Sequence, residues 1–126
     1  MNDYLRNVIP ALPCKNVKES IRFYEEKLGF NNTWAHEDLY GAAFNGNVEV
    51  HFLKTSEDFT PSYIYTRVDN VDKLYEFLIQ TEVEVTTPPT DRFYKLRECI
   101  IRDLNGHYIT FGEEIIGREP NVPKEN

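Results

Sequence analysis

The chain has 126 residues, 40% hydrophobic and 13% aromatic, which suits one globular domain or two very small halves sharing a core. Its net charge of -7, from 14 basic and 21 acidic residues, argues against nucleic acid, whose phosphates need a basic surface. No apolar run approaches the roughly 20 residues that span a bilayer, and two cysteines, Cys14 and Cys99, make no disulfide framework.

The opening MNDYLRNVIPALP has no basic stretch followed by an apolar one, as a secretory signal would. With both thiols expected reduced, this predicts a cytoplasmic location and no membrane partner. The acidic balance would draw a cationic ligand by long-range attraction, although acidity is common among soluble proteins.

Residues 7–13 read as a short, edge-like strand, because Pro10 and Pro13 forbid a helix and suit only an irregular or edge position. Residues 16–28 form the best helix. Val17, Ile21, Tyr24 and Leu28 make one apolar stripe, Asn16 is the N-cap with Glu19 three residues on, and Gly29 is the C-terminal stop. A strand follows over 30–37. Residues 39–44 and 48–54 make a hairpin around Asn45-Gly46, with Val48, Val50 and Phe52 on the face towards the helix and Glu49, His51 and Leu53 on the other.

Residues 55–61 (TSEDFTP) are a polar linker ending in proline, after which the pattern restarts. Residues 62–68 read as a strand and 70–80 as a helix with Val71, Leu74, Tyr75 and Leu78 on its stripe. Residues 82–87 read as a strand, 86–90 (TTPPT) as a rigid loop, 93–103 as a long strand, and 107–112 as the closing strand after Asn105-Gly106. The tail, 115–126, is polar and proline-bearing and is expected to fray.

Set Asn16-Val17 over Asn70-Val71, and strand, helix, strand, strand, strand occurs twice, with an Asn-Gly turn in each half. This reads as a duplicated α+β fold: two βαβββ modules, about 7–54 and 62–114, forming one curved mixed sheet. The helices cover one face and the other lines a trough. A concave surface of that kind is the default place for a ligand.

The stretches IPALPCKNVKESIRFYEEKLGF, YTRVDNVDKLYEFL and RDLNGHYITFGEE, in this order, resemble the vicinal oxygen chelate superfamily. It includes glyoxalase I, extradiol dioxygenases, fosfomycin-modifying enzymes and bleomycin resistance proteins. The last stretch departs from the family's Asp-Pro-Asp-Gly ending at Leu104 and Asn105 but keeps Gly106. In the family's metal enzymes, side chains from the first and last strands of each half hold a divalent cation. Carried over, those places fall on Ile9, His51, Tyr63 and Thr110. Only His51 is an ordinary ligand, and a catalytic site needs about three. The resemblance is therefore to the metal-free, bleomycin-resistance-like branch. It implies no cofactor, an antibiotic or other small molecule bound by sequestration, and a homodimer. The alternative is a glyoxalase-like lyase or isomerase, or a transferase, that uses His51 with Glu49 or Tyr63 for acid–base work.

The candidate ligand-binding residues are Trp34, Glu49, His51, Tyr63, Tyr65, Arg67, Phe93, Tyr94, Arg97, Tyr108 and Thr110. Tyr63, Tyr65 and Arg67 share a face by alternation, as do Tyr108 and Thr110. The aromatic side chains suit flat heterocycles, or else an interface between subunits. His51 is either a ligand contact or a half-buried histidine satisfied by Glu49 or a backbone group. Arg92 to Arg97 follow the proline loop, with Arg97 and Cys99 expected towards the trough. His36 and His107 are expected in solvent, and neither Glu113 nor Glu114 is expected to serve as a ligand.

Overall fold

A computed structural model describes residues 3–122. The strands are β1 (Ala11–Cys14), β2 (Asn31–His36), β3 (Tyr40–Asn45), β4 (Val48–Lys54), β5 (Tyr63–Arg67), β6 (Glu84–Arg92), β7 (Leu96–Arg102) and β8 (Tyr108–Glu114); the helices are α1 (Val17–Leu28) and α2 (Val71–Gln80). The expected α+β duplication is present as two four-stranded mixed sheets, ordered β1-β4-β3-β2 and β5-β8-β7-β6. In each, the first strand runs parallel to the last and the others pair antiparallel.

The helices start by the same device twice. The Asn16 side chain accepts from the Glu19 amide at 2.8 Å, and the Asn70 side chain accepts from the Lys73 amide at 3.0 Å. A carboxylate from outside the helix then takes another free amide: Asp38 accepts from Val17 at 2.7 Å and Glu113 from Val71 at 2.8 Å. Negative charge is favourable at a helix N-terminus, where the first amides have no intrahelical partner. Glu113 is thereby committed to capping and faces the helix side.

Both hairpins differ from the expected Asn-Gly turn. Asn45 pairs with Val48, so the central residues of the first turn are Gly46 and Asn47, with Gly46 at φ 57°. Glycine at the first central position is the type II′ arrangement. The second turn is wider. The Gly106 amide donates to the Asp103 carbonyl at 3.0 Å, and Gly106 follows the turn at φ 86°. Asp103 organises it, with Oδ1 accepting from the Asn105 and His107 amides, each at 2.9 Å.

The proline loop is also placed differently. Residues 86–90 lie inside β6, an edge strand with register shifts between Val85 and Thr90, where two missing amides are tolerated. The long strand expected from 93 begins at Leu96, because Lys95 at φ 67° closes a tight turn.

The modules share one core. Tyr24, Phe52, Val17, Val50, Val71, Leu78, Cys99 and Ile101 are all buried, in one continuous cluster. Each fully buried aliphatic or aromatic side chain contributes roughly 1.5–3 kcal/mol. Polar contacts cross between modules as well: Tyr24 Oη donates to Asp103 Oδ2 at 2.7 Å, Asn105 Nδ2 to Ser20 Oγ at 2.9 Å, and Thr81 Oγ1 to the Lys27 carbonyl at 2.9 Å.

His107, expected in solvent, is instead fully buried at this seam. The Ser62 amide donates to Nδ1 at 2.9 Å, so Nε2 carries the proton and donates to the Pro13 carbonyl at 2.7 Å. Phe59 of the linker stacks on the imidazole at 5.4 Å. His107 thus ties the end of β1 to the start of β5, the facing edge strands of the two sheets. Cys14 and Cys99 are buried free thiols, and burial is the main cause that pushes both up, Cys99 to about 11.

Over 115–121 the tail is anchored at Ile115, Arg118 and Asn121. Buried Asp91 accepts from Arg118 at 2.7 and 3.1 Å, from Arg97 at 3.0 Å and from the Asn121 amide at 2.8 Å. Residues 123–126 lie outside the described residues. The Arg118 contact is the main cause holding the Asp91 carboxyl well below the ordinary range. A carboxyl lowered on folding stabilises above its unfolded value of about 3.9, and that stability is lost as pH falls below it. Asp91→Asn is therefore expected to cost about 2–3 kcal/mol at pH 7 in urea unfolding. The gap to the parent protein should shrink steadily below about pH 4.

Candidate functional site

The faces turned away from the helices carry the aromatic side chains. In the first sheet a bulge decides which ones. Asn31 pairs with Phe44 but Trp34, not Thr33, stands opposite Ala42, so β2 carries one extra residue, with Asn32 at φ 50°. Trp34 is thereby brought to the side of Tyr40, Ala42 and His51. It stacks on Tyr40 (ring centroids 6.1 Å apart, interplanar angle 29°) and meets His51 edge-on at 6.1 Å. His51 lies in register between Ala11 of β1 and Ala42 of β3, two small residues that leave room beside it.

The imidazole of His51 has both nitrogens engaged. Nε2 is 2.6 Å from Glu49 Oε2 and Nδ1 is 2.7 Å from Tyr40 Oη. All three side chains are partly exposed, so the carboxylate, imidazole and phenol form a chain open to solvent. Glu49 and His51 were legible from alternation along β4. Tyr40 was not, because its approach depends on the β3–β4 pairing.

In the second sheet, Tyr63, Tyr65 and Arg67 alternate outward along β5, as expected from spacing. Tyr63 stacks on Tyr108 with centroids 5.0 Å apart and an interplanar angle of 7°, and the Arg102 guanidinium lies over Tyr108 at 5.1 Å. Thr110 stands beside Tyr65 in register. The second sheet also holds a buried carboxylate that spacing did not single out. Glu98 is 4% exposed and accepts from Tyr65 Oη at 2.7 Å and Tyr94 Oη at 2.6 Å, with Arg92 Nε at 3.4 Å. Burial first, then Glu98, pushes the Tyr65 phenol up to about 12; the Glu98 hydrogen bond raises Tyr94. Both phenols stay protonated and donate. Phe93 rests edge-on against Tyr94 at the turn and is 80% exposed.

Two residues expected on this face lie on the other. Arg97 and Cys99 share the helix side of β7: Cys99 is in the core, and Arg97 bonds Asp72 of α2 (2.9 Å) and Asp91 (3.0 Å). The pleat explains it, since Glu98, Ile100 and Arg102 take the trough side and their neighbours the opposite one.

Gly112, in register with Glu98, is the seat for Tyr65. A Cβ at this position would overlap the Tyr65 hydroxyl and ring. Gly112→Ala is expected to swing Tyr65 away from Glu98, lowering stability by about 1–3 kcal/mol, measured by thermal or urea unfolding. Gly112→Ala combined with Tyr65→Ala should recover part of that loss.

A cleft of about 310 Å³ is lined from both sheets, by residues that include Val8, Pro10, Glu49, Ile64, Tyr65 and Arg67. A larger cleft, about 500 Å³, lies at the far ends of β5 and β8. Of its charges, Arg67 and Glu114 pair with each other across it, Arg118 pairs with Asp91 and Glu113 caps the start of α2.

The donors at the places where the family's enzymes bind a divalent cation do not fit one. Ile9 has no donor, Tyr63 and Thr110 offer neutral hydroxyls, and both nitrogens of His51 are already engaged. Among the described residues, no three His, Cys, Asp or Glu side chains cluster as a metal site, and no helix is long and apolar enough to cross a membrane.

The sequence was compared with known proteins. A bleomycin resistance protein from Geobacillus stearothermophilus is 27% identical over 127 residues, covering 85% of this chain and 96% of that protein; one from Staphylococcus aureus aligns equally well. Among solved structures, TioX from Micromonospora sp. ML1 superposes with a TM-score of 0.77 at 17% identity, covering 87% of this chain and 99% of that one. The bleomycin-binding protein from Streptomyces verticillus, complexed with copper(II)-bleomycin, gives 0.73 at 22% identity, covering 88% and 97%. The family model described as Glyoxalase/Bleomycin resistance protein/Dioxygenase superfamily matches residues 8–111. With the two βαβββ modules and the aromatic faces in place, this match over most of the chain establishes that the protein belongs to that superfamily.

Proposed function

We propose that this protein binds a small aromatic molecule, of the antibiotic type, in its trough and acts by sequestering it without a metal of its own. The observation that carries the reading is the pair of aromatic clusters, Trp34–Tyr40–His51 on one sheet and Tyr63–Tyr108 on the other, with Glu49 and Tyr65 on the wall of a cleft lined from both sheets. The unsuitable donors at the metal places support the metal-free part. The bleomycin resistance and bleomycin-binding relatives support the ligand class. The exposed Tyr4, Leu5 and Val8 ahead of β1, and the open trough, support a homodimer in which a second copy covers apolar surface. Calorimetric titration with copper(II)-bleomycin is the test. Saturable binding near one ligand per chain, with the drug recovered at unchanged mass, is expected. Absence of binding, or a stoichiometric, tightly held divalent metal in the purified protein, would sink the reading.

The Glu49–His51–Tyr40 chain favours a second reading, acid–base catalysis on a bound carbonyl compound. A ligand changed in mass or connectivity, with turnover lost and binding kept in His51→Ala, selects it.

A further inference from the structure

Each half of the chain carries one Asn-Gly pair, and the two differ chemically in the folded protein. Asparagine is a heat-labile residue, and before glycine no side chain shields the next amide from its Cγ. At Asn105-Gly106 the participants are engaged. The Gly106 amide donates to the Asp103 carbonyl at 3.0 Å, the Asn105 amide to Asp103 Oδ1 at 2.9 Å, and Asn105 Nδ2 to Ser20 Oγ at 2.9 Å. Asn45-Gly46 is exposed at the tip of the β3–β4 hairpin. The Gly46 amide has no backbone acceptor among the described residues, and a Cβ on Gly46 would meet nothing within 4 Å. The Asn45 side chain is held by a long bond, 3.3 Å from Nδ2 to the Gly29 carbonyl.

We propose that Asn45-Gly46 is a site of spontaneous deamidation in the native protein, while the same dipeptide at Asn105-Gly106 is protected by its fold. The Gly46 nitrogen, giving its proton to hydroxide, attacks Asn45 Cγ. A C–N bond forms, and the side-chain nitrogen leaves as ammonia, taking a proton from water. Water then opens the succinimide ring. Breaking the bond from Cγ to the Gly46 nitrogen gives aspartate; breaking the bond from the Asn45 backbone carbonyl carbon gives isoaspartate, with the chain rerouted through the side chain. Either product replaces a donor by a carboxylate beside Gly29, the left-handed residue that ends α1, where negative charge is unfavourable. Isoaspartate also inserts a methylene into the backbone at the partner of Val48. It therefore loosens the hairpin whose register sets Tyr40, Glu49 and His51.

The test holds the full chain in mildly alkaline buffer, native or in urea, then digests it with trypsin for mass spectrometry. The peptides 28–54 and 103–118 separate the two pairs, and fragment ions assign a mass gain to Asn45 against Asn31, Asn32 and Asn47. In the native protein Asn45 is expected to convert at least about tenfold faster than Asn105, and in urea the two rates should fall within about threefold of each other. Asn45→Gln, which keeps an amide but forms the ring far more slowly, should abolish the native gain in peptide 28–54. Equal native rates at the two pairs, or a native Asn45 that stays intact while the unfolded one converts, would overturn the proposal. The aged form, isolated by anion exchange on its added carboxylate, is expected to melt about 3–6 °C below fresh protein. Identical melting of the two would overturn the loosening of the hairpin.

Discussion

Asp103→Ala is expected to lower the unfolding free energy by about 3–5 kcal/mol. Asp103 is 7% exposed and accepts three hydrogen bonds, from Tyr24 Oη and from the Asn105 and His107 amides. Removing it leaves a fully buried phenol and an amide at a buried position without acceptors, and leaving buried donors unsatisfied costs more than the bonds themselves are worth. The effect should extend to the seam, because the turn that Asp103 organises carries His107 to Ser62 and Pro13. Asp103→Asn keeps an acceptor for the amides, and the Tyr24 hydroxyl can turn to accept from the new amide; about 1–2 kcal/mol is expected. Urea unfolding followed by circular dichroism measures both. If Asp103→Ala lost less than about 1 kcal/mol, the range of a surface substitution, the network would not hold the modules together.

Trp34→Ala is expected to weaken copper(II)-bleomycin binding by about thirtyfold or more while changing stability by less than about 1 kcal/mol. Trp34 is 46% exposed and stacks on Tyr40 outside the core cluster, so truncation removes an exposed platform and leaves the core intact. The two measurements must diverge. Equal losses in stability and binding would make Trp34 a packing residue, and unchanged binding would place the ligand elsewhere.

The duplicated element order and the membership of both apolar helix stripes were legible in the sequence, because each rests on local periodicity and capping. Val17, Ile21, Tyr24 and Leu28 mark one face by spacing alone, and Asn16 and Asn70 mark the starts. Alternation likewise put Glu49 with His51 and Tyr63 with Tyr65. What was not legible depends on partners far along the chain. His107 follows a turn and reads as solvated, yet its two acceptor and donor contacts lie 45 and 94 residues away. Tyr40 and Glu98 look like ordinary strand residues until pairing brings them to His51 and Tyr65. Arg97 was misplaced because the strand begins at Leu96 after a tight turn, and parity counted along an assumed longer strand does not reveal its charged partners on the helix side. Glycine and proline gave mixed guidance. Gly46 marks a turn but of another type, and the proline pair of TTPPT marks an edge strand with shifted register instead of a loop.

The contact between Tyr24 and Asp103 spans 79 residues. Helix α1 emerges early during synthesis, with the residue that fills the centre of the core, but its phenol has no acceptor until the last turn is made. Contacts of such long range pay their loop-closure entropy before any gain, which slows folding and favours completion late in the process. The first module can pack Phe23, Phe30 and Phe52 around the Tyr24 ring by itself, but the hydroxyl waits for the turn of the second module. The polar ties that join the two modules, Tyr24 to Asp103 and His107 to Pro13 and Ser62, are completed in the same closing step.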